Sequence, residues 1–378
     1  MKKILIGTTA LIAVGMLATA ANATPRVQLG GFMNFYGGWS NDYEVPGVRT
    51  INAVDFINEA EAHVRISTDL GNGMRTGGTI QFRGGVGDGD NNGQNIVKRV
   101  WGWVESNRYG RTEIGTRESA PYQMQVSAPD VGVFGVDGTD LVYIIPSLGD
   151  NAYGVIGSTQ LDRTYRNMKI TYFTPQVHGL QAGFSFTPRS GNESGATGFD
   201  KTFGYNPLAV DGNAYEGAVS YTVRTGAVKG RVVAGVGFYE RIPTTAGTFG
   251  GTTWAARNST EYSLGTQLGF GAITLGAGFR YVDLNEKSDN PYSWNLGAAY
   301  QMGRNEFSLS VANWTAVVDN GIEDVRSSDY MVLASAKHTL AEGVDAFVSG
   351  GYVYYDKGAG SLARRHVGMA VGGMMISF

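Results

Sequence analysis

"AITLGAGFRY" spans residues 272–281, and "YSWNLGAAYQM" follows at residues 292–302. In the first stretch Ile273, Leu275, Ala277, Phe279 and Tyr281 share one side of a period of two, and Thr274, Gly276, Gly278 and Arg280 share the other. In the second, Tyr292, Trp294, Leu296, Ala298 and Tyr300 alternate with Ser293, Asn295 and Gln301. Alternation over such lengths marks a strand with one apolar and one polar face. Helical winding would smear both classes around the cylinder. "LQAGFSFTP" (residues 180–188) and "AVKGRVVAGVGFY" (residues 227–239) repeat the pattern.

Working outward, the connections fall into two sizes. Short ones sit at Gly71–Gly73, Asn107–Gly110, Pro175–Gly179, Thr225–Gly226, Phe270–Gly271, Gly303–Arg304 and Ala341–Gly343, each with the Gly or Asn that a tight turn requires. Long ones fall near 39–53, 87–95, 118–162, 190–212, 241–258, 286–291, 317–327 and 357–363. Short and long alternate strictly, so the turns define seven hairpins, and one strand at each end brings the count to sixteen. After the first 23 residues no apolar run reaches the ~20 residues of a spanning helix. Strands of 10 to 14 residues suit a tilted crossing of a bilayer. The expected fold is therefore all-β, a 16-stranded antiparallel transmembrane β-barrel. An open sheet would leave unpaired edges in lipid, and a barrel this wide leaves an aqueous channel. Tyr292, Trp294, Trp314, Tyr352 and Tyr354 fall at strand ends, where an interfacial girdle would sit, with ordinary packing the alternative for some of them.

Composition agrees. Charged residues make up 17% of the 378, below the ~25% of a typical soluble domain. Glycine is 56 of 378, about twice ordinary usage, with no collagen period. Lipid-facing surfaces and barrel bends would use such residues. There is no cysteine, hence no disulfide framework and no thiolate chemistry. A net charge of −3 without a polybasic run excludes a nucleic-acid partner. Residues 1–23 read as a secretory signal: Lys2 and Lys3, an apolar run from Ile4 to Leu17, and Ala21-Asn22-Ala23 as the cleavage site. The barrel domain is then 24–378.

Few local motifs carry chemistry. Asp88, Asp90 and Asn92 in "GDGDNNGQNIVKR" match the first half of a calcium loop, but Arg99 stands where the closing glutamate belongs. The preferred reading is a polar hairpin tip, with loop-bound calcium the alternative; no cofactor is expected. His63, His178, His338 and His366 show no metal-ligand spacing, and no nucleophile elbow occurs. The chain is read as not an enzyme. The connection at 118–162 is the longest, and it mixes carboxylates with Val131, Val133, Phe134 and Leu141–Ile145. Folded into the lumen, it would pack its apolar residues on the wall and offer its carboxylates to the channel; the alternative is an external loop with its own small core. By parity Glu59, Glu61, His63 and Arg65 face the lumen, as do Arg75, Gln81 and Arg83, and Arg99, Trp101 and Trp103.

The sixteen-strand layout, "TYRNMKITYFTPQVHGLQAGFSF" (residues 164–186) after the longest connection, and the terminal Phe378 together resemble the general Gram-negative outer-membrane porins, over Thr24 to Phe378. The resemblance implies a homotrimer that lets small hydrophilic solutes and ions diffuse passively, with the third loop folded inward as a constriction. It also implies loop carboxylates (Glu118, Asp130, Asp137 and Asp140) opposing a basic wall of Arg65, Arg83, Arg99 and Arg166. Asp130, in "PDVGVFG", matches the acidic tip position. Implied partners are outer-membrane lipids, lipopolysaccharide and the barrel-assembly machinery, which would read Phe378. The chain departs from the family in a stretched loop tip and in Phe32, where enteric relatives often carry lysine. Outward alternation of Met168, Ile170 and Tyr172 would turn Arg166 to lipid unless a bulge intervenes. The alternative function is a substrate-selective channel for sugars or anions, with Trp101, Trp103 and Phe32 as an aromatic slide. The acidic excess of the chain suggests a lean toward cations.

Overall fold

The computed structural model describes residues 24–41, 44–45, 49–50, 53–71, 73–84, 97–137, 158–188, 209–243, 258–283, 290–319, 324–355 and 365–378. The signal segment 1–23, Asp140 and the calcium candidates Asp88, Asp90 and Asn92 lie outside them. Sixteen strands form one closed barrel. They are β1 (Arg26–Ser40), β2 (Val54–Gly71), β3 (Met74–Gly84), β4 (Val97–Ser106), β5 (Gly110–Thr116), β6 (Met168–Phe173), β7 (Leu180–Thr187) and β8 (Ala209–Thr225). The second half comprises β9 (Val228–Pro243), β10 (Ser259–Phe270), β11 (Ile273–Asp283), β12 (Tyr292–Met302), β13 (Asn305–Asp319), β14 (Asp324–Ala341), β15 (Val344–Tyr355) and β16 (Arg365–Ser377). Every strand pairs antiparallel with its sequence neighbours, and β16 pairs with β1 from Phe32↔Ser377 to Ser40↔Met369. A two-residue ladder, Glu44–Val45 with Arg49–Thr50, decorates the connection after β1. Among the described residues no helix is long and apolar enough to cross a membrane, and the crossing is made by strands.

The alternation read from the sequence becomes two surfaces. Leu264, Leu275, Phe279, Leu296 and Leu309 point outward, each more than 40% exposed. Such an apolar belt would be a liability in water and is what a hydrocarbon environment requires. The seven short turns each hold a glycine at positive φ, from +55° at Gly226 to +87° at Gly179, where a side chain would be strained. Tyr352 belongs to the outward belt. Trp314 does not: it is 2% exposed and packs inside with Met331 and Leu333. Its expected place in an outer girdle is therefore corrected. Trp314 has the inward parity of Ser308 and Ser310, opposite that of Leu309.

The inner face is not uniformly polar. Val353, Val367, Met369 and Val371 of β15 and β16 turn inward and form a buried cluster with Tyr36, Phe134, Val136 and Phe347. β16 is thus apolar on both faces, which explains why alternation fades through Gly372, Gly373, Met374 and Met375. Met374 points out at 40% exposure, and Met375 packs against the internal cluster. The chain ends in the seam: Gly31 N–H donates to the Phe378 carbonyl (2.9 Å) and Phe378 N–H donates to the Gly31 carbonyl (3.1 Å).

The connection after β5 runs along this inner face. It begins with helix α1 (Ala120–Met124), whose Pro121 occupies the first turn, where no backbone donor is missed. Ala120 N–H donates to Ser185 on β7, Ala128 N–H to Asn295 on β12, and Val131 N–H to Ser308 on β13. Phe134 reaches Tyr36 on β1, edge to face at 5.2 Å. Several inner-face glycines serve this contact, among them Gly183, Gly235, Gly265, Gly276 and Gly297. A Cβ at Gly265 would overlap the Val126 carbonyl oxygen, and one at Gly276 would overlap that of Ser127. The wall is shaved where the loop backbone lies.

Two outcomes are expected. Gly265→Val should cost about 1–3 kcal/mol through overpacking and push the loop toward the barrel axis. It would lower both the thermal unfolding temperature and the single-channel conductance, whereas unchanged conductance would mean that the loop is not seated on the wall. Deleting Phe378 removes the last pairing with Gly31 and should reduce the yield of folded barrel, read as the heat-modifiable band on unheated gels.

Candidate functional site

The basic wall lies on β2, β3 and β4. In register, Glu61 stands opposite Arg83, His63 opposite Gln81, and Gln81 opposite Arg99. The pairing of β3 with β4 then slips: Gln81 faces Arg99 but Phe82 faces Val97. This bulge adds one residue, Lys98, so that two consecutive cations reach the lumen. Lys98 forms an ion pair with Glu61, while Arg99 binds Glu118 through Nε (2.8 Å) and Nη2, and Gln81 through Nη1 (2.8 Å). His63 Nε2 lies 2.9 Å from Glu61, and Arg65 Nη2 lies 3.2 Å from His63 Nδ1. Arg65 donates, so Nδ1 accepts, and the Nε2–H tautomer fits both contacts.

Arg166 also reaches this neighbourhood. It precedes β6 in a turn, with Tyr165 at φ +39°, and its guanidinium lies 4.1 Å from the centroid of the Tyr165 ring. Its Nε is 3.7 Å from Glu118. A turn, not a bulge, keeps it from lipid. Glu118 therefore sits between two guanidiniums at the base of the loop. Burial pushes its carboxyl up, but Arg99 and then Arg166 outweigh that effect and leave it below its ordinary value.

The next described loop carboxylates, Asp130 and Asp137, are held by the loop and its wall. Asp130 accepts from Val136 N–H (3.1 Å) and from the Ser310 hydroxyl (2.8 Å), closing the loop tip and fastening it to β13. Burial raises its carboxyl to about 6. Asp137 is 7% exposed and accepts the Thr159 hydroxyl (3.0 Å) and backbone N–H, tying together the two ends of segment 138–157. Burial raises it as well. Inside an apolar-backed loop both serve as acceptors for otherwise unpaired donors, and Asp137, expected at the channel, is buried. Asp140 lies outside the described residues. Asp162 is enclosed, with Oδ1 unpartnered; burial and the nearby Glu118 raise it to about 8.

Sequence reasoning missed the way cations share carboxylates. Arg75 and Arg111 share Glu105, and Arg111 and Arg117 share Glu113. Arg163 and Arg280 share Glu261. With Arg99 and Arg166 on Glu118, seven guanidiniums share four carboxylates. Inward parity was the available signal; the partners come from different strands. The aromatic slide does not form. Arg117 covers Trp101 at 4.6 Å from the ring centroid, Arg111 covers Trp103 at 4.5 Å, and Phe32 meets His63 edge to face.

The elevated Asp162 has a testable sign. A carboxyl raised from its ordinary value to about 8 costs stability progressively as pH rises from near 4 through 8, and nothing below that range. Asp162→Asn should leave the unfolding temperature unchanged at pH 4 and raise it at pH 8.

With this geometry in place, the comparisons are specific. The sequence profile of the Gram-negative porin family matches residues 7–358. No curated protein matches by sequence. Among solved structures, the anion-selective porin from Comamonas acidovorans aligns with TM-score 0.62 at 17% identity, over 94% of this chain and 100% of that one. A loop-deleted form of OmpT, an outer membrane protein of Vibrio cholerae, aligns with TM-score 0.61 at 11% identity, over 94% and 99%. A mutant of the Rh. blastica porin aligns with TM-score 0.52 at 15% identity, over 93% and 100%. At these identities the structural likeness concerns the fold. A profile spanning most of the chain, on a closed barrel with an apolar exterior and a charged interior, places the protein in the outer membrane as a diffusion channel: the chain belongs to the Gram-negative porin family.

Proposed function

We propose that the channel passes small hydrophilic solutes through a passage narrowed by the connection after β5, with a preference for anions. The observation that carries the preference is the sharing of four carboxylates by seven guanidiniums on the inner face. Fixed positive excess in a confined lumen raises the local concentration of anions. Of the described loop carboxylates, Asp130 and Asp137 are engaged within the loop and against its wall, and burial raises both, which weakens their opposition to that excess. This replaces the cation lean drawn from overall composition, since acidic residues elsewhere in the chain do not set the field at the constriction. One structural relative carries "anion-selective" in its name, which is in keeping with the reading. Sugar selectivity by aromatic stacking is disfavoured, because guanidiniums occupy the indole faces.

The reading includes removal of residues 1–23 on export, no catalytic role, assembly as a homotrimer among outer-membrane lipids and lipopolysaccharide, and delivery by the barrel-assembly machinery. On β16 and β1 to β4 small outward residues (Gly372, Gly37, Ala62, Gly78 and Gly102) lie beside exposed bulky ones (Leu29, Phe35 and Phe56), a surface that supports a protomer contact there.

Reconstitution in planar bilayers tests the proposal. Ohmic steps proportional to salt and grouped in threes are expected, with a reversal potential of the anion-selective sign in a potassium chloride gradient. The cation-selective sign would overturn the preference, and absence of steps would overturn the channel.

A further inference from the structure

One group of inner-face cations has no carboxylate. At the short-turn end of β8 and β9, Arg224 stands directly opposite Lys229 in register, and Arg231 follows two residues along the same face. That face is the inner one: Glu216 and Ser220 share its parity on β8 and are fully buried, whereas Val219 and Tyr221 point out. Like charges placed opposite one another across a strand pair repel. Among the described residues none of the three makes an ion pair, in contrast to the shared networks around Glu105, Glu113, Glu118 and Glu261.

What surrounds Arg231 is neutral and polar. Its Nη2 donates to Gln181 Oε1 on β7 (3.3 Å), and its Nη1 makes a long contact with the Met124 carbonyl at the end of α1 (3.5 Å). Its Nε is buried without a partner. Thr222 stands opposite it on β8, and Gln267 opposite it on β10. Gln267 Nε2 donates to the Ser127 carbonyl at 3.4 Å. A guanidinium with a spare donor, next to two further cations and flanked by amides, lacks only the counter-charge.

We propose that Arg224, Lys229 and Arg231 form an oxyanion site on the short-turn side of the loop, and that its ligand is a phosphate-bearing solute in transit. A tetrahedral oxyanion takes paired N–H donors from a guanidinium and point charge from an ammonium. It would also relieve the Arg224–Lys229 repulsion. The site rests on the channel reading, since its ligand arrives through the lumen, and it adds to a general anion preference a resting place with its own residues. Short turns face the periplasm in outer-membrane barrels, so the site would hold the anion at the exit of the constriction.

The experiment is single-channel recording in potassium chloride with inorganic tripolyphosphate added to one side at a time. Resolved current blocks are expected, more frequent from the short-turn side. In the triple variant Arg224→Gln, Lys229→Gln, Arg231→Gln the dwell time should fall at least about tenfold, as loss of charge-assisted hydrogen bonds implies, while open-channel steps persist. Arg231→Lys should recover part of the dwell time. If the triple variant does not fold, the pair Arg224→Gln and Lys229→Gln, both exposed at the turn, should still shorten it. Dwell times insensitive to these substitutions, or no blocks in a conducting wild-type channel, would overturn the site and leave the channel standing. No conductance from the wild type would overturn the channel reading itself.

Discussion

In hydrocarbon an unpaired backbone N–H or C=O has no water to turn to, and the rest of this structure depends on that constraint. A sheet of sixteen strands satisfies it only by joining its first strand to its last. Here the join extends to the final residue, where Phe378 exchanges both backbone hydrogen bonds with Gly31. Closure then fixes everything inside: once β1 meets β16, one parity of every strand is lipid-facing and the other is enclosed.

Enclosure alone leaves a wide tube. The proposed narrowing rests on an internal apolar cluster, unusual for the inner face of a barrel with a polar lumen. Phe134 and Val136 of the long connection pack with Tyr36, Leu333, Phe347, Val367 and Met369 of the wall. Hydrogen bonds from Ala128 and Val131 to Asn295 and Ser308, and glycines that clear the way for the backbone, hold the segment between. The described part of the loop is thereby held to the wall, and the charges gather on β2 to β5 and the loop base, with further groups on β8 to β11. Charges sort accordingly: Asp130 and Asp137 brace the loop, and in the networks on Glu105, Glu113, Glu118 and Glu261 the guanidiniums outnumber the carboxylates.

Much of this was legible in order of residues. The period of two at Ile273–Tyr281 and the glycine turns gave strand number, pairing and closure, because side chains on a strand alternate without regard to distant context. The inward parity of Arg65, Arg83 and Arg99 was read on the same basis. The apolar residues at Val131 and Phe134 marked the loop as something that must pack. Other features escaped for particular reasons. Lys98 entered the lumen through a one-residue bulge, and a single inserted residue reverses parity. Arg166 was rescued by a turn that precedes its strand. Trp314 has the look of a girdle residue, but its face was decided by which parity the loop covers. Asp130 and Asp137 are indistinguishable by type from pore carboxylates, and only their donors in Val136, Ser310 and Thr159 show that they brace the loop.

By itself, then, the sequence determined a closed sixteen-strand barrel with lipid outside, because alternation and turn chemistry are local. The tertiary structure alone decided which charges meet. Glu118 finds Arg99 and Arg166, Glu261 finds Arg163 and Arg280, and Arg224, Lys229 and Arg231 find no carboxylate among the described residues, because those pairings are set by strand register and loop path across residues distant in the chain.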